Sequence, residues 1–309
     1  MSLSQSKRAA MEVMAAVGAF STVGNVYWVH SGTGNAGNSG LEPNKALATI
    51  DSAVGKCTAG RGDTIIALPG HVETVATANG LDLDVAGIRV IFLGDGANRA
   101  SVNLTATAST IRVNANNVAV YGMSVTGGID AVALCVDVNG KTDVVFKDLR
   151  YRDVTGQCTV FFKAANNSDR LVIDGVKYLG DAAAGTSAAF QFDGCDDLTF
   201  KSFDIVGNFA NSAIEFITTA SARVRIDSGP DGSFIWTQNS ADLCIKDTIT
   251  GSTGNITGRG GLALRLTDNA ANITEAITGA TFAVFDNVWV CNLANEKAML
   301  INWTASTDA

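Results

Sequence analysis

The sequence predicts an all-β fold: a single-stranded right-handed parallel β-helix solenoid with an N-terminal capping helix. The first observation is a short strand-like pattern that recurs at nearly constant steps along the chain. The second is the alternation of apolar and polar residues within each copy, which is typical of a half-buried strand. The third is a composition of 32 Gly but only 3 Pro in 309 residues, because small side chains let backbone layers stack closely.

The repeat reads polar, apolar, variable, apolar, polar, small. Its first apolar position advances by steps of 26, 27, 27 and 26 residues. That position is occupied by Val118, Val144, Leu171, Leu198 and Val224. A single coil of this size cannot bury its apolar face, whereas stacked coils share one continuous core. A β-sandwich also contains alternating strands, but it does not predict such equal steps.

A polar turn separates each copy of the repeat from the strand that precedes it. Asn and Asp suit such turns because both tolerate left-handed backbone angles. The residue just before the first apolar position is Asn117, Asp143, Arg170, Asp197 or Arg223. We therefore assign the adjacent carboxylates Asp196 and Asp197 to turn formation rather than to chemistry.

The region before the first repeat predicts the cap. A helix is expected from Asn44 through Lys56, with Asn44 as its N-cap. Leu47, Ile50 and Val54 fall on one face of this helix. The helix should cover the open apolar end of the first coil, which a solenoid cannot leave in water.

Four segments follow from these patterns. They are an N-terminal helical arm (1–24), a cap with the first coil (25–80), the parallel β-helix (81–295) and a C-terminal tail (296–309). Near the C-terminal end, Trp289 and Trp303 are expected to close the last coil.

The arm starts with basic residues and then becomes apolar, as secretion signals do. Lys7 and Arg8 precede an apolar stretch that contains Met11 and Met14, but Glu12 interrupts it. We interpret the segment as a short amphipathic helix or arm rather than a signal peptide.

Charge and cysteine usage exclude several classes of partner. The chain has 22 Lys and Arg against 30 Asp and Glu, a net charge of −8, and an acidic surface repels nucleic acid. No apolar run reaches the ~18 residues that span a bilayer. The six cysteines lie at least 23 residues apart and form no Cys/His cluster. We therefore expect buried reduced thiols, no metal site and no cofactor.

Two stretches carry a resemblance to known proteins. Tyr27-Trp28-Val29, Gly62-Asp63-Thr64-Ile65 and Leu68-Pro69-Gly70-His71 resemble the entry of pectate-lyase-like β-helix proteins. The stretch from Pro69 through Gly94 resembles β-helix proteins encoded by tailed bacteriophages. The resemblance covers roughly residues 26–250. It implies either a tailspike that cuts surface polysaccharide or a trimeric protein that decorates the capsid, since one fold hosts many functions.

Polysaccharide cleavage needs either two carboxylates about 5–9.5 Å apart or a base beside a calcium site. Asp137, Asp193 and Glu215 occupy outward positions on the strands that precede the repeat, where stacking would form an acidic ridge for a cation or a sugar. Their offsets from the next repeat anchor are −7, −5 and −9 residues, so a solvated face explains them better. We predict no catalytic residue.

The histidines and tyrosines are interpreted as structural. His30 and His71 fall in the cap region, where turn and capping roles are expected. Tyr121, Tyr151 and Tyr178 are separated by steps of 30 and 27 residues, which predicts a packed stack at the coil edge.

The first hypothesis is a non-enzymatic virion structural protein, a capsid decoration (cement) protein that binds and stabilises a phage head. Its partners would be the major capsid protein and itself, as a homotrimer on the capsid surface, made in the host cytoplasm. Neither nucleic acid nor membrane is expected as a partner. The arm would dock on the capsid through Lys7, Arg8, Met11 and Met14.

The alternative is a tailspike or tail-fibre protein that binds or cleaves host polysaccharide as a lyase or glycoside hydrolase. Its ligand would lie along Asp137, Asp193 and Glu215. A third reading is a cellular pectate-lyase-like enzyme, which would normally be secreted.

Overall fold

A computed structural model describes residues 24–153, 158–180, 186–238, 243–266, 276–278, 281–292 and 297–301. The strands of the first half are β1 (Val26–Val29), β2 (Thr64–Ala67), β3 (Val72–Val75), β4 (Leu81–Leu83), β5 (Arg89–Phe92), β6 (Ser101–Leu104), β7 (Ile111–Val113), β8 (Ala119–Tyr121), β9 (Ser124–Gly127), β10 (Val132–Asn139) and β11 (Val145–Asp153). The strands of the second half are β12 (Cys158–Ala165), β13 (Val172–Leu179), β14 (Thr186–Phe192), β15 (Thr199–Gly207), β16 (Phe209–Phe216), β17 (Val224–Asp227), β18 (Ser233–Thr237), β19 (Leu243–Asp247), β20 (Thr253–Leu266), β21 (Ile277–Thr278), β22 (Thr281–Asn292) and β23 (Lys297–Ile301).

Each coil contributes three straight strand segments to the solenoid, and we call each stack of equivalent segments a leg. The first leg stacks β1, β2, β5, β8, β17 and the N-terminal parts of β11, β13, β15, β20 and β22. The second leg stacks β3, β6, β9, β18 and the C-terminal parts of the same long strands. The third leg is a separate sheet of eight strands, β4, β7, β10, β12, β14, β16, β19 and β21. Neighbours within each leg pair in parallel, which confirms the predicted parallel solenoid.

The repeat anchors form the centre of the core. The structure buries all five completely: Val118, Val144, Leu171, Leu198 and Val224. Stacked rings fill the middle coils, where Phe190 lies 4.9 Å from Phe200 and 5.7 Å from Phe162 between ring centroids. A fully buried Phe side chain contributes roughly 1.5–3 kcal/mol, so this column holds the coils together.

Left-handed residues turn the chain at equivalent places in successive coils. We call these residues the turn column. Their φ angles lie between 56° and 59°, and they are Asn117, Asp143, Arg170, Asp197 and Arg223. The turn role predicted for Asp197 is therefore confirmed. Side chains in this column also pair between coils, since the Arg170 guanidinium donates to both oxygens of Asp143 at 2.7 Å. Arg223 binds Asp197 in the same forked way.

The predicted helix is much shorter than expected. Its α-helical part, α1, covers Ile50–Val54, with Thr49 as the N-cap and a separate 3₁₀ turn at Pro43–Lys45. The prediction of Asn44 as N-cap is wrong, because Thr49 Oγ1 accepts the N–H of Ser52 instead. Helix α1 packs against β1, β2 and β4, and its capping role stays a prediction.

A buried hydrogen bond between Glu73 and His71 supports the start of α1. Glu73 Oε2 accepts the N–H of Ile50 at 2.8 Å and contacts His71 Nε2 at 2.9 Å. His71 and Glu73 are both buried. His71 thus has a structural position in the cap region, as expected. His30 serves the following loop, whose Gly32 and Thr33 N–H groups bond its Nδ1.

The C-terminal end differs from the expectation. Strand β23 pairs antiparallel with β22, so the predicted tail (296–309) contains a strand. The prediction that Trp289 closes the last coil is wrong, because its side chain points outward and is 39% exposed. Trp303 lies outside the described residues. None of the helices within the described ranges is long and apolar enough to cross a membrane.

Candidate functional site

The third leg carries two of the three predicted ridge residues on one ladder. Asp137 in β10 is followed at the same register by Lys163, Gln191 and Glu215 in β12, β14 and β16. Three inter-strand steps of about 4.8 Å separate Asp137 from Glu215 by roughly 14 Å. Asp193 lies beyond the end of β14, off this ladder. The three carboxylates therefore do not form one continuous ridge.

Each of these carboxylates binds the protein's own strands. Asp137 lies 3.9 Å from Arg112 Nε in β7, and burial raises the pKa of Asp137 above its ordinary value despite the arginine. Glu215, which is buried, accepts the side-chain amide of Gln191 at 2.9 Å. Asp193 accepts the N–H of Thr219 at 3.0 Å. All three contacts link neighbouring coils.

This geometry limits the chemistry of the predicted residues. A separation of roughly 14 Å is wider than the about 5–9.5 Å that glycosidase carboxylates need. Within the described part of the chain, no cluster of three or more His, Cys, Asp or Glu side chains could hold a metal ion. Asp196 and Asp197 bind Arg223 and backbone groups of the next coil.

A cleft that the sequence did not indicate lies where the first leg turns into the second. Arg99 Nη1 donates to the Gly122 carbonyl at 3.1 Å and to Asp148 Oδ2 at 2.7 Å. Arg150 Nε donates to the other oxygen of Asp148 at 2.9 Å. Burial raises the pKa of Asp148, but the hydrogen bonds from both arginines outweigh it and hold that pKa below its ordinary value.

The cleft has an apolar floor and a charged rim. Its volume is about 280 Å³, and it is lined by Ile91, Leu93, Tyr121, Arg99, Lys147 and Asp148 among others. The Nε atom of Arg99 is buried and has no hydrogen-bond partner among the described residues. Such a surface can bind a small polar ligand that stacks on a ring and accepts hydrogen bonds.

A group of outward apolar side chains lies elsewhere, on the outside of the second leg near the C-terminal end. We call it the aromatic face, and it consists of Leu179, Val206, Phe234, Trp236 and Trp289. Leu179, Val206 and Trp236 share one register, and Phe234 shares the adjacent one with Trp289. Leu179, Phe234 and Trp289 are 48%, 38% and 39% exposed.

Charged groups border the aromatic face. The guanidinium of Arg265 stacks over Trp236 at 4.1 Å from the ring centroid. Lys177 and Asp204 continue the Phe234 register toward the N-terminal end. The sequence contains a signal for this face, because the run Phe234-Ile235-Trp236 places apolar side chains on both sides of the strand.

The remaining predicted residues fall into three groups. Tyr151 and Tyr178 stack with centroids 5.0 Å apart inside the core, as expected. The prediction is wrong for Tyr121, which faces outward on the first leg. All six cysteines are free thiols, although Cys57 and Cys291 are only partly buried. Lys7, Arg8, Met11 and Met14 lie outside the described residues.

The chain was compared with protein families, with curated proteins and with solved structures. No family model matches the sequence, and no curated protein matches it. Among solved structures, a rhamnogalacturonan lyase is similar with 13% identity and a TM-score of 0.48. That match covers 90% of this chain and 90% of the lyase chain.

Proposed function

We propose that this chain is a non-enzymatic structural protein of a tailed-bacteriophage virion, a decoration protein that binds and stabilises the capsid. The observation that carries the proposal is the aromatic face. Soluble proteins rarely expose contiguous aromatic and aliphatic side chains unless a partner covers them. Trp and Tyr near the centre of an interface supply most of its binding energy.

The shape of the aromatic face favours further copies of the same chain as partner. It runs along the solenoid axis across β13, β15, β18, β20 and β22, which is four steps of about 4.8 Å or roughly 19 Å. A strip parallel to the axis suits rods that lie side by side. Closed symmetry is the rule for such assemblies, and we propose a homotrimer. Lys177 and Asp204 place one charge of each sign beside the strip, so equivalent faces do not repel.

The polar surfaces support a structural role. The turn column and the third-leg ladder use their carboxylates for contacts between coils, as Asp143 and Glu215 do, and Asp193 beyond the end of β14 does the same. A rod with many shallow surfaces suits binding to a repeated lattice, where several weak contacts add up to avidity. We propose that the arm contacts the capsid through Lys7, Arg8, Met11 and Met14. The right hand of the coil and the capping role of α1 belong to the same proposal.

Immunogold electron microscopy tests the virion assignment. Antibodies against the purified protein would be applied to the virus particles released from cells that encode it. We expect label distributed over the heads. Label confined to tail tips would overturn the decoration role in favour of adhesion, and unlabelled particles would overturn the virion assignment altogether.

The second candidate is a tail protein that binds host polysaccharide, and the cleft beside Arg99 favours it. Tyr121 offers a ring for stacking, while Arg99 and Lys147 offer donors to an acidic sugar. Titration calorimetry with acidic oligosaccharides, comparing the natural chain with Tyr121→Ala, tests this candidate. A cleavage screen of Asp137→Ala, Asp193→Ala and Glu215→Ala tests for hydrolase or lyase activity, which we expect to be absent.

A further inference from the structure

Outward side chains of the first leg form a ladder of alternating charge in the middle of the rod. We call it the outer ladder, and it consists of Lys147, Asp174, Lys201 and Asp227. Lys201 Nζ lies 3.2 Å from Asp174 Oδ2, and Arg259 in the next coil lies 2.9 Å from Asp227 Oδ2. Each of these two cations therefore pairs with a carboxylate one coil nearer the N-terminus, and the turn column follows the same pattern.

Lys147 is the exception to this pattern. Its side chain is exposed and takes part in no ion pair among the residues that the structure describes. Its register neighbour one coil nearer the N-terminus is Tyr121, and the one before that is Ile91. An aromatic ring thus occupies the position where the pattern would place a carboxylate.

The cleft of about 280 Å³ lies at this position, because Tyr121 and Lys147 both line it. Arg99 lines it too, but its Nη1 already donates to the Gly122 carbonyl and to Asp148. The side chain of Arg99 is only 11% exposed. Arg99 therefore shapes the cleft, whereas Lys147 presents an ammonium group that the described residues leave unpaired.

The charge around the cleft favours an anion. Three cations, Arg99, Lys147 and Arg150, lie beside two carboxylates, Asp95 and Asp148. Each carboxylate already has an arginine near it, at 2.7 Å for Asp148 and at 3.9 Å for Asp95. The surplus positive charge falls on Lys147, although the whole chain has a net charge of −8. A ligand carboxylate beside Lys147 would form a charge-assisted hydrogen bond.

We propose that the cleft binds a small ligand in which one six-membered ring carries a carboxylate. The carboxylate would pair with Lys147 as the missing member of the outer ladder, and the ring would lie against Tyr121. A volume of about 280 Å³ equals roughly nine water molecules of about 30 Å³ each, which is room for one ring but not for a chain of rings.

Two kinds of compound have this chemistry, an acidic sugar residue and an aromatic carboxylate. For the sugar, the inference rests on the second candidate function and narrows its ligand to a single acidic residue. Titration calorimetry of the full-length chain with glucuronate and with benzoate distinguishes the two sources. Acetate, which lacks a ring, and glucose, which lacks a carboxylate, are the controls.

We expect glucuronate or benzoate to bind about 10-fold or more tightly than both controls, because a hydrogen bond to a charged group adds to the ring contact. The tighter of the two identifies the source. Equal binding of acetate or of glucose would overturn the proposal. Binding of longer acidic oligosaccharides without binding of either small carboxylate would overturn this inference and leave the second candidate function standing. Binding of none of these compounds would overturn both.

A matched pair of variants tests the role of Lys147. Lys147→Gln and Lys201→Gln each remove one ammonium group from the outer ladder, but Lys201 is already paired with Asp174. We expect Lys147→Gln to weaken binding of the ring carboxylate about 10-fold or more and Lys201→Gln to leave it unchanged. Equal effects of the two variants would contradict the proposal.

Tyr121→Asp gives an independent measurement, since it supplies the missing carboxylate from the chain itself. We expect this variant to lose ring-carboxylate binding while thermal unfolding shows that it remains folded. The neutral variant Tyr121→Phe keeps the ring and should bind as the natural chain does. Unchanged binding by Tyr121→Asp would overturn the proposed position of the ligand carboxylate.

Discussion

Two outward apolar surfaces on the same sheet differ in their exposure. Ile66, Ile91 and Leu93 near the N-terminal end are at most 6% exposed, whereas Phe234 and Trp289 on the aromatic face remain more than a third exposed. Both surfaces lie on strands whose inner faces build the core. The difference teaches that outward apolar side chains on this solenoid are either shielded like the core or left in contact with solvent, and we propose that a partner binds the second kind.

The largest expected difference between the two surfaces is in stability. Ile91→Ala removes buried methylene groups and leaves a cavity, so it should lower the free energy of unfolding by about 2–5 kcal/mol. Phe234→Ala changes a surface side chain and should alter it by about 0.5 kcal/mol or less. Urea unfolding at a concentration where the chain is monomeric measures both. Equal losses would show that the aromatic face is part of the monomer's core.

The second prediction concerns assembly. Trp289→Asp should weaken self-association by about 2 kcal/mol or more, a dissociation constant at least about 30-fold higher, because an interface aromatic is replaced by a charge. Val145→Asp, outward on the first leg, serves as the matched control and should leave assembly unchanged. Sedimentation velocity over a concentration series measures the mass. An unchanged mass for Trp289→Asp would remove the aromatic face from the interface.

Acidification should change the free energy of unfolding in opposite directions through two carboxylates, Asp148 in the cleft and Asp204 beside the aromatic face. The lowered native pKa of Asp148 means that its ionised form stabilises the fold above the unfolded-state value of about 3.9. That contribution is lost as the pH falls through the native pKa. Burial raises the pKa of Asp204, so its ionised form costs stability at neutral pH, and protonation relieves this cost.

Denaturant unfolding of Asp148→Asn and Asp204→Asn between pH 7 and pH 3 measures this contrast. We expect Asp148→Asn to destabilise the chain at pH 7 and to weaken its acid sensitivity. Asp204→Asn should be neutral or stabilising at pH 7. The same sign for both variants would contradict the assigned environments.

The smallest effect is expected from salt. Raising NaCl from about 0.05 M to about 1 M screens charge pairs but leaves apolar contacts intact. The mass of an assembly held by the aromatic face should therefore stay constant in sedimentation equilibrium. Dissociation at high salt would show that Lys177, Asp204 and Arg265 hold the copies together instead.

The repeat was the most predictable part of this molecule, because burial of an anchor in each coil is a local pattern. Val118 and Leu198 were identified from spacing alone, and the turn role of Asp197 followed from its place beside an anchor. The common ladder of Asp137 and Glu215 was missed. Strand register places Asp137 and Glu215 on one ladder. Counting back from the next repeat anchor does not align them, because Asp137 lies seven residues before its anchor and Glu215 lies nine.

The two outer surfaces lay beyond sequence reasoning for a different reason. Alternation separates inner from outer positions, but it does not say whether an outer Ile or Trp is covered. Ile91 and Phe234 both have apolar neighbours in the sequence, yet Ile91 is buried and Phe234 is 38% exposed. The helix boundary at Thr49 also escaped prediction, because Glu73, more than twenty residues away, holds the first helical N–H.

The turn column has a consequence for how this rod can change in length during evolution. From Asp143 onward its side chains alternate between negative and positive charge in successive coils. The order is Asp143, Arg170, Asp197 and Arg223. Loss of a single coil would set carboxylate against carboxylate or guanidinium against guanidinium. Loss or duplication of two coils restores the alternation, so lineages of this chain should lengthen and shorten by coil pairs of about 53 residues, the sum of steps of 27 and 26.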